Sequence, residues 1–281
     1  MTVERVGVVG SGIMGAGIAE TAAAAGFTVV VRSRASTGET MAAIEHSLSK
    51  QVAKGTRTPS EADEVAARVR VTRHLADLAE CDLVIESVVE DLATKQALFR
   101  ELDRVSRPGA ILATGTSTLP VVELATQTGR PEAVCGIHFF NPAPLMPLVE
   151  VVRPLTASDT TIEAATAFAV ACGKQPIIVK DQAGFIVNHL LFPYLNNAVR
   201  LLERGVAGRD DIDAAMRGGC NFPIGPLALL DLVGLDTSVA ILDALYDEFR
   251  DPHYAAVPLL RRMVSAGQLG RKSGQGFYAY G

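Results

Sequence analysis

A chain of 281 residues, 48% hydrophobic, with 25 glycines, 14 prolines and no long polar or repetitive tract, is compact and globular in composition and long enough for two domains of roughly 150 residues. A net charge of -5 and a pI near 5.6 exclude nucleic acid and anionic membrane as bulk electrostatic partners, so any anionic ligand must be met locally. The four cysteines, Cys81, Cys135, Cys172 and Cys220, show no CxxC spacing and read as buried free thiols, with no metal expected.

The chain enters a strand-like run almost at once, without the basic and apolar segments of a signal peptide, and no apolar span of about 18 residues follows. This predicts a cytoplasmic protein. Short apolar runs at Val6–Val9, Thr28–Val31, Val69–Thr72, Leu83–Ile85, Ala110–Ala113 and Val134–Phe139 read as buried strands. Between them, Ile13–Ala25, the long segment Ser36–Arg68, Leu92–Val105 and Val121–Thr126 carry helical spacing. Such alternation predicts an α/β fold with a mostly parallel, doubly wound Rossmann sheet. After Lys180 the pattern becomes helical only, with Ile186–Arg204, Ser238–Phe249 and Val257–Ala266, and Asp181-Gln182-Ala183-Gly184 punctuates the change. We therefore expect a dinucleotide-binding domain over residues 1–183 and an all-α C-terminal domain over 184–281.

Gly10-Ser11-Gly12-Ile13-Met14-Gly15 follows a strand and opens a helix, which is the context in which GxGxxG binds a dinucleotide. The first glycine permits a tight turn, the second lets pyrophosphate approach the backbone, and the third allows close helix packing. Where NAD-preferring proteins place a carboxylate at the end of the second strand, this chain reads Arg32-Ser33-Arg34. Two guanidinium groups and a hydroxyl suit a 2'-phosphate, so NADP is favoured over NAD. Further on, Val134–Phe139 and Leu145–Glu150 flank a proline-rich turn. If the second strand returns antiparallel, His138 and Glu150 stand opposite each other, the carboxylate orients the imidazole, and the pair can move a proton. A lone histidine in an apolar strand would otherwise read as a core residue.

With Ser117, His138-Phe139-Phe140-Asn141-Pro142, Leu148-Val149-Glu150-Val151, Gly184-Phe185-Ile186-Val187-Asn188, Pro223-Ile224-Gly225-Pro226 and Gly270–Tyr278 added to the glycine motif, the chain resembles, essentially end to end, the 3-hydroxyacyl-CoA and 3-hydroxybutyryl-CoA dehydrogenases. The resemblance implies that His138 is the acid/base on the C3 oxygen of an acyl-CoA substrate, that Glu150 holds and polarises it, and that Ser117 and Asn188 bind substrate. It also implies that Ser47 and Lys54 lie near the phosphorylated adenosine of coenzyme A, that Glu90 and Lys95 lie near the nicotinamide ribose, and that a homodimer forms through the C-terminal domain. Without the resemblance, Ser117 reads equally as a loop hydroxyl, Asn188 as a buried polar group and Lys54 as a solvated surface charge.

Three positions depart from the family pattern. Gly115-Thr116-Ser117 stands where Asn-Thr-Ser is usual, His189 replaces the usual arginine after Asn188, and Ser33 replaces the ribose-binding acid. Two other readings stay open here: a dehydrogenase acting on a hydroxyacyl group tethered to a carrier protein, and a dinucleotide-binding protein whose catalysis has lapsed.

Overall fold

The computed structural model describes residues 3–34 and 37–281. The chain forms two compact units, one ending at Asp181 and the other beginning at Gln182, against an expected division after residue 183.

In the first unit eight strands make one sheet: β1 (Arg5–Val9), β2 (Thr28–Arg32), β3 (Val69–Thr72), β4 (Leu83–Glu86), β5 (Ile111–Thr114), β6 (Val134–Phe139), β7 (Leu148–Arg153) and β8 (Gln175–Lys180). Their order is β3-β2-β1-β4-β5-β6-β7-β8, parallel throughout except where β7 runs against β6. The helices are α1 (Ile13–Ala24), α2 (Thr37–Ala53), α3 (Pro59–Ala67), α4 (Leu92–Val105), α5 (Val121–Ala125) and α6 (Asp159–Ala171). Val6, Val8, Val29, Val31, Leu83 and Ile85 are buried because a parallel sheet is covered on both faces, which is why these strands read as unbroken apolar runs. The strand order reverses at β1 and β4, so a crevice opens beyond their carboxyl ends, where open α/β sheets bind ligands.

The helical pattern read over Ser36–Arg68 divides in two, with Ser36 itself outside the described residues. Gly55 takes a left-handed φ of 70°, and Thr58 builds a capping box in which its hydroxyl accepts from the Glu61 amide at 3.3 Å while the Glu61 carboxylate accepts from the Thr58 amide at 2.7 Å. Pro59 then starts α3, since a proline inside a helix costs about 3 kcal/mol and one in the first turn costs little. Residues 155–180 had no assigned element and hold α6 and β8. β8 is an edge strand that tolerates Pro176 and leaves Ile177 and Ile178 exposed.

The second unit contains α7 (Val187–Glu203), α8 (Arg209–Cys220), α9 (Pro226–Val233), α10 (Leu235–Phe249) and α11 (Pro258–Ser265), packed around Phe192, Leu195, Leu227, Leu230, Leu242 and Leu260. Two buried carboxylates hold its last residues. Asp213 caps α9 by accepting from the Leu227 and Ala228 amides and also takes the Tyr278 hydroxyl at 2.9 Å. Asp231 accepts from the Phe277 and Tyr278 amides, each at 2.8 Å, and from the Tyr280 hydroxyl at 3.0 Å. The cysteines are free, but only Cys81 and Cys135 are buried; Cys172 is half-buried and Cys220, at the polar end of α8, is exposed. Among the described residues no helix is long and apolar enough to cross a membrane.

Candidate active site

Each glycine of the loop between β1 and α1 answers a different demand. A Cβ on Gly10, whose φ is +119°, would stand 2.1 Å from the Ser87 carbonyl oxygen, and one on Gly15 would stand 2.0 Å from that of Gly10. Both sites are closed to any other residue. A Cβ on Gly12 would meet nothing within 4 Å, and Gly12 is the N-cap of α1 with no side-chain cap on the helix. The first turn thus presents backbone N–H donors and the positive end of the helix dipole to the crevice, the pattern that accepts a phosphate. Gly10, Gly12, Ile13 and Met14 line this crevice of about 660 Å³, and Gly15 packs behind it.

At the end of β2, Arg32 and Arg34 line the same crevice, and the Arg32 Nε is buried with no hydrogen-bond partner among the described residues. Ser33 corrects the expectation placed on it. It is fully buried, its hydroxyl is 2.7 Å from that of Ser11, and its amide donates to the Thr72 carbonyl. A residue that continues the β2 ladder turns its side chain inward between two outward ones, so Ser33 braces the glycine loop instead of lining the ligand wall.

Across the crevice, Glu90 accepts from the Thr116 hydroxyl at 2.5 Å and the Ser117 amide at 2.9 Å, and pairs with Lys95 at 3.2 Å. Lys95 is 1% exposed and also pairs with the fully buried Glu86 at 2.6 Å, whose other oxygen accepts from the Thr114 hydroxyl. Burial pushes the Glu90 carboxyl up, but the Lys95 ammonium and the Thr116 and Ser117 bonds outweigh it and hold the group below the usual carboxylate range. Glu90 and Lys95 line the crevice wall, and much of their bonding capacity holds the loop that carries Ser117. Gly115 is also on this wall, and a Cβ there would meet only the Glu86 carbonyl oxygen, at 3.0 Å.

The hairpin of β6 and β7 pairs His138 directly with Glu150. The His138 Nδ1 lies 2.7 Å from a Glu150 carboxylate oxygen; Glu150 is fully buried and His138 nearly so, with its ring 4.6 Å from that of Phe140. A carboxylate accepts, so in this pair Nδ1 carries the hydrogen and Nε2 is left as the ring's other nitrogen. Because β1, β4, β5 and β6 are parallel neighbours, the glycine loop, Ser117 and His138 share one edge of the sheet, and Phe139 reaches the crevice wall.

Asn188 is buried in the first turn of α7, in the second unit. Beside it, His189 packs edge-on against Phe249 and its Nε2 is 3.0 Å from the Tyr254 hydroxyl, so it sits in an aromatic cluster. Ser47 lies beside the buried Glu20 carboxylate, whereas Lys54 is exposed just past α2. Sequence reasoning missed Ser11, Glu86 and Thr116. A glutamate closing the apolar run Leu83–Ile85 was the available signal for Glu86, since a charge in a buried strand needs a partner.

The 3-hydroxyacyl-CoA dehydrogenase NAD-binding domain model matches residues 5–182, and the C-terminal domain model of the same family matches 184–280. The chain is 48% identical over 282 residues to a 3-hydroxybutyryl-CoA dehydrogenase of Mycobacterium tuberculosis, covering 99% of each. It is also 43% identical to the enzyme of that name from Clostridioides difficile, over 98% of this chain and 99% of the other. The crystal structure of (S)-3-hydroxybutyryl-CoA dehydrogenase from Ralstonia eutropha superposes with a TM-score of 0.96 at 40% identity, covering all of both chains. Agreement of this extent across both units, together with a glycine loop and a histidine-carboxylate hairpin on one sheet edge, makes the chain a member of the 3-hydroxyacyl-CoA dehydrogenase family.

Proposed function

We propose that this chain interconverts short (S)-3-hydroxyacyl-CoA and 3-oxoacyl-CoA thioesters, with acetoacetyl-CoA the best ketoacyl substrate, and that His138 moves the proton. The observation that carries this reading is the buried His138–Glu150 pair on the sheet edge that also bears the glycine loop. Three strand intervals separate β1 from β6, roughly 14 Å at about 4.8 Å each, a span suited to a dinucleotide lying across the edge. When bound, the nicotinamide accepts or supplies the hydride at substrate C3. In oxidation the His138 Nε2 removes the hydroxyl proton as the C3–H pair of electrons departs, and in reduction it returns that proton to the carbonyl oxygen. Glu150 fixes the ring's orientation and tautomer. The Ser117 hydroxyl holds the reacting oxygen or the thioester carbonyl, and the exposed Lys54 meets the phosphorylated adenosine of coenzyme A.

We also propose that the favoured dinucleotide carries a 2'-phosphate. Arg32 and Arg34 on the crevice wall support this, as does the absence of a carboxylate at the end of β2. Charge-assisted bonds to phosphate are worth about 1.5–3 kcal/mol, so NADPH should exceed NADH in kcat/KM by about tenfold or more with acetoacetyl-CoA, and Arg34→Ala should erase most of that ratio. An NADH preference in the unaltered protein would overturn the assignment. Exposed Leu190, Leu201, Val206, Phe222 and Leu232 on the second unit support a homodimer through that unit, for which light scattering should give the mass of two chains.

A further inference from the structure

The loop joining the two strands of the histidine-carboxylate hairpin is tied to a single ammonium. Lys174, between α6 and β8, is buried, and its Nζ donates to the carbonyl oxygens of Ala143 at 2.7 Å, Pro144 at 3.2 Å and Met146 at 3.0 Å. An ammonium has three N–H donors, and all three are spent on one loop. The following residue adds a fourth tie, the Gln175 amide donating to the Pro147 carbonyl at 2.7 Å. On its other side the loop rests on the helix that leaves the glycine motif: a Cβ at Gly17 would stand 3.2 Å from the Ala143 Cβ and 3.3 Å from the Pro144 Cδ. Burying an ammonium is costly, and water could satisfy the carbonyls of an ordinary surface loop without it. What the buried charge adds is a fixed loop geometry.

We infer that Lys174 is a positioning residue for the reaction: by clamping residues 143–146 against α1 it fixes His138 and Glu150 relative to the helix that faces the dinucleotide. The inference rests on the reading of His138 as the acid/base. A misplacement of about 1 Å in a reacting group can cost about 100-fold, so a loosened clamp acts on turnover more than on nucleotide binding. A cavity of about 300 Å³ bordered by Lys174, Pro144, Glu20 and Arg57 lies beside the clamp and makes the idea testable by chemical rescue. Lys174→Ala removes three methylenes and the ammonium, which together are propylammonium.

Lys174→Ala and Lys174→Met are compared with the unaltered protein and with His138→Ala, using acetoacetyl-CoA and reduced nucleotide, with folding followed by circular dichroism. Both lysine variants should lose about 10- to 100-fold in kcat while the KM for nucleotide changes by less than about twofold, and propylammonium should restore at least about fivefold to the alanine variant while propanol restores none. If the alanine variant folds poorly, the amine is supplied during refolding, and the methionine variant, which keeps the apolar stem, reports the kcat loss. Full kcat in a folded lysine variant, a loss confined to KM, or no response to propylammonium overturns the inference. Full activity in His138→Ala would instead overturn the acid/base reading on which it rests.

Discussion

Replacing His138 with alanine should lower kcat for acetoacetyl-CoA reduction by about 10²- to 10⁴-fold, the usual contribution of a positioned acid/base, with the nucleotide dissociation constant changed by less than about twofold. The separation of effects follows from where the groups stand. The glycine loop, the first turn of α1 and the β2 arginines, proposed above to meet the nucleotide, lie on other strands and helices than the β6–β7 hairpin that pairs His138 with Glu150. Among the described residues lining the crevice, Glu90 and Lys95 are poor substitutes for the imidazole, being paired with each other and Lys95 with Glu86 as well. Glu150→Gln should lose less, since an amide carbonyl still accepts from Nδ1 and preserves the tautomer. Stopped-flow turnover with fluorescence titration of reduced nucleotide separates the two quantities, and a His138→Ala enzyme within about tenfold of the unaltered rate would remove the histidine from the chemistry.

The largest stability effect should come from Lys95→Met, at about 3–5 kcal/mol in urea denaturation, the range for removing one partner of a buried ion pair. Glu86 would keep its bonds from the Val88 amide and the Thr114 hydroxyl but lose its counter-charge in a site with no exposure. Glu90 adds a pH signature. In the unaltered protein its folded carboxyl titrates below the ordinary value of 4.5, so its contribution is present above that value and lost as pH falls through the folded one. Without Lys95 the opposing charge is gone while burial remains, so the Glu90 carboxyl moves up from its lowered position and contributes less above the ordinary value. The deficit should be largest near neutral pH and narrow as pH falls below 4.5; a deficit independent of pH would show that the lost interaction is not electrostatic.

Features whose signal lies in contiguous residues were readable from the chain alone. The glycine loop, the apolar parallel strands and the hairpin facing His138 with Glu150 each combine a local period with a turn that permits one geometry. α6 and β8 were missed for a physical reason. α6 is rich in alanine and threonine with apolar side chains nearly all round, and β8 begins with Gln175-Pro176 and exposes two isoleucines at an edge, so neither shows the contrast between faces that marks an amphipathic element. The break at Gly55 lay in plain view but was overridden by periodicity on both sides of it. Within the site, Glu86 carries a signal in its apolar strand, whereas the burial of Lys95 and Lys174 and the inward turn of Ser33 are set by the fold. Their roles depend on which distant segment becomes a neighbour.

Tyr278 and Tyr280 lie beyond the last α-helix, in a segment that a genetic engineer would trim without a second thought. With Asp213 and Asp231 each relying on donors from residues 277–280, such a trim would strip hydrogen bonds from two carboxylates in the helical interior. A premature stop codon a few positions upstream would therefore act as a core lesion, felt in the yield of folded protein before any assay of catalysis.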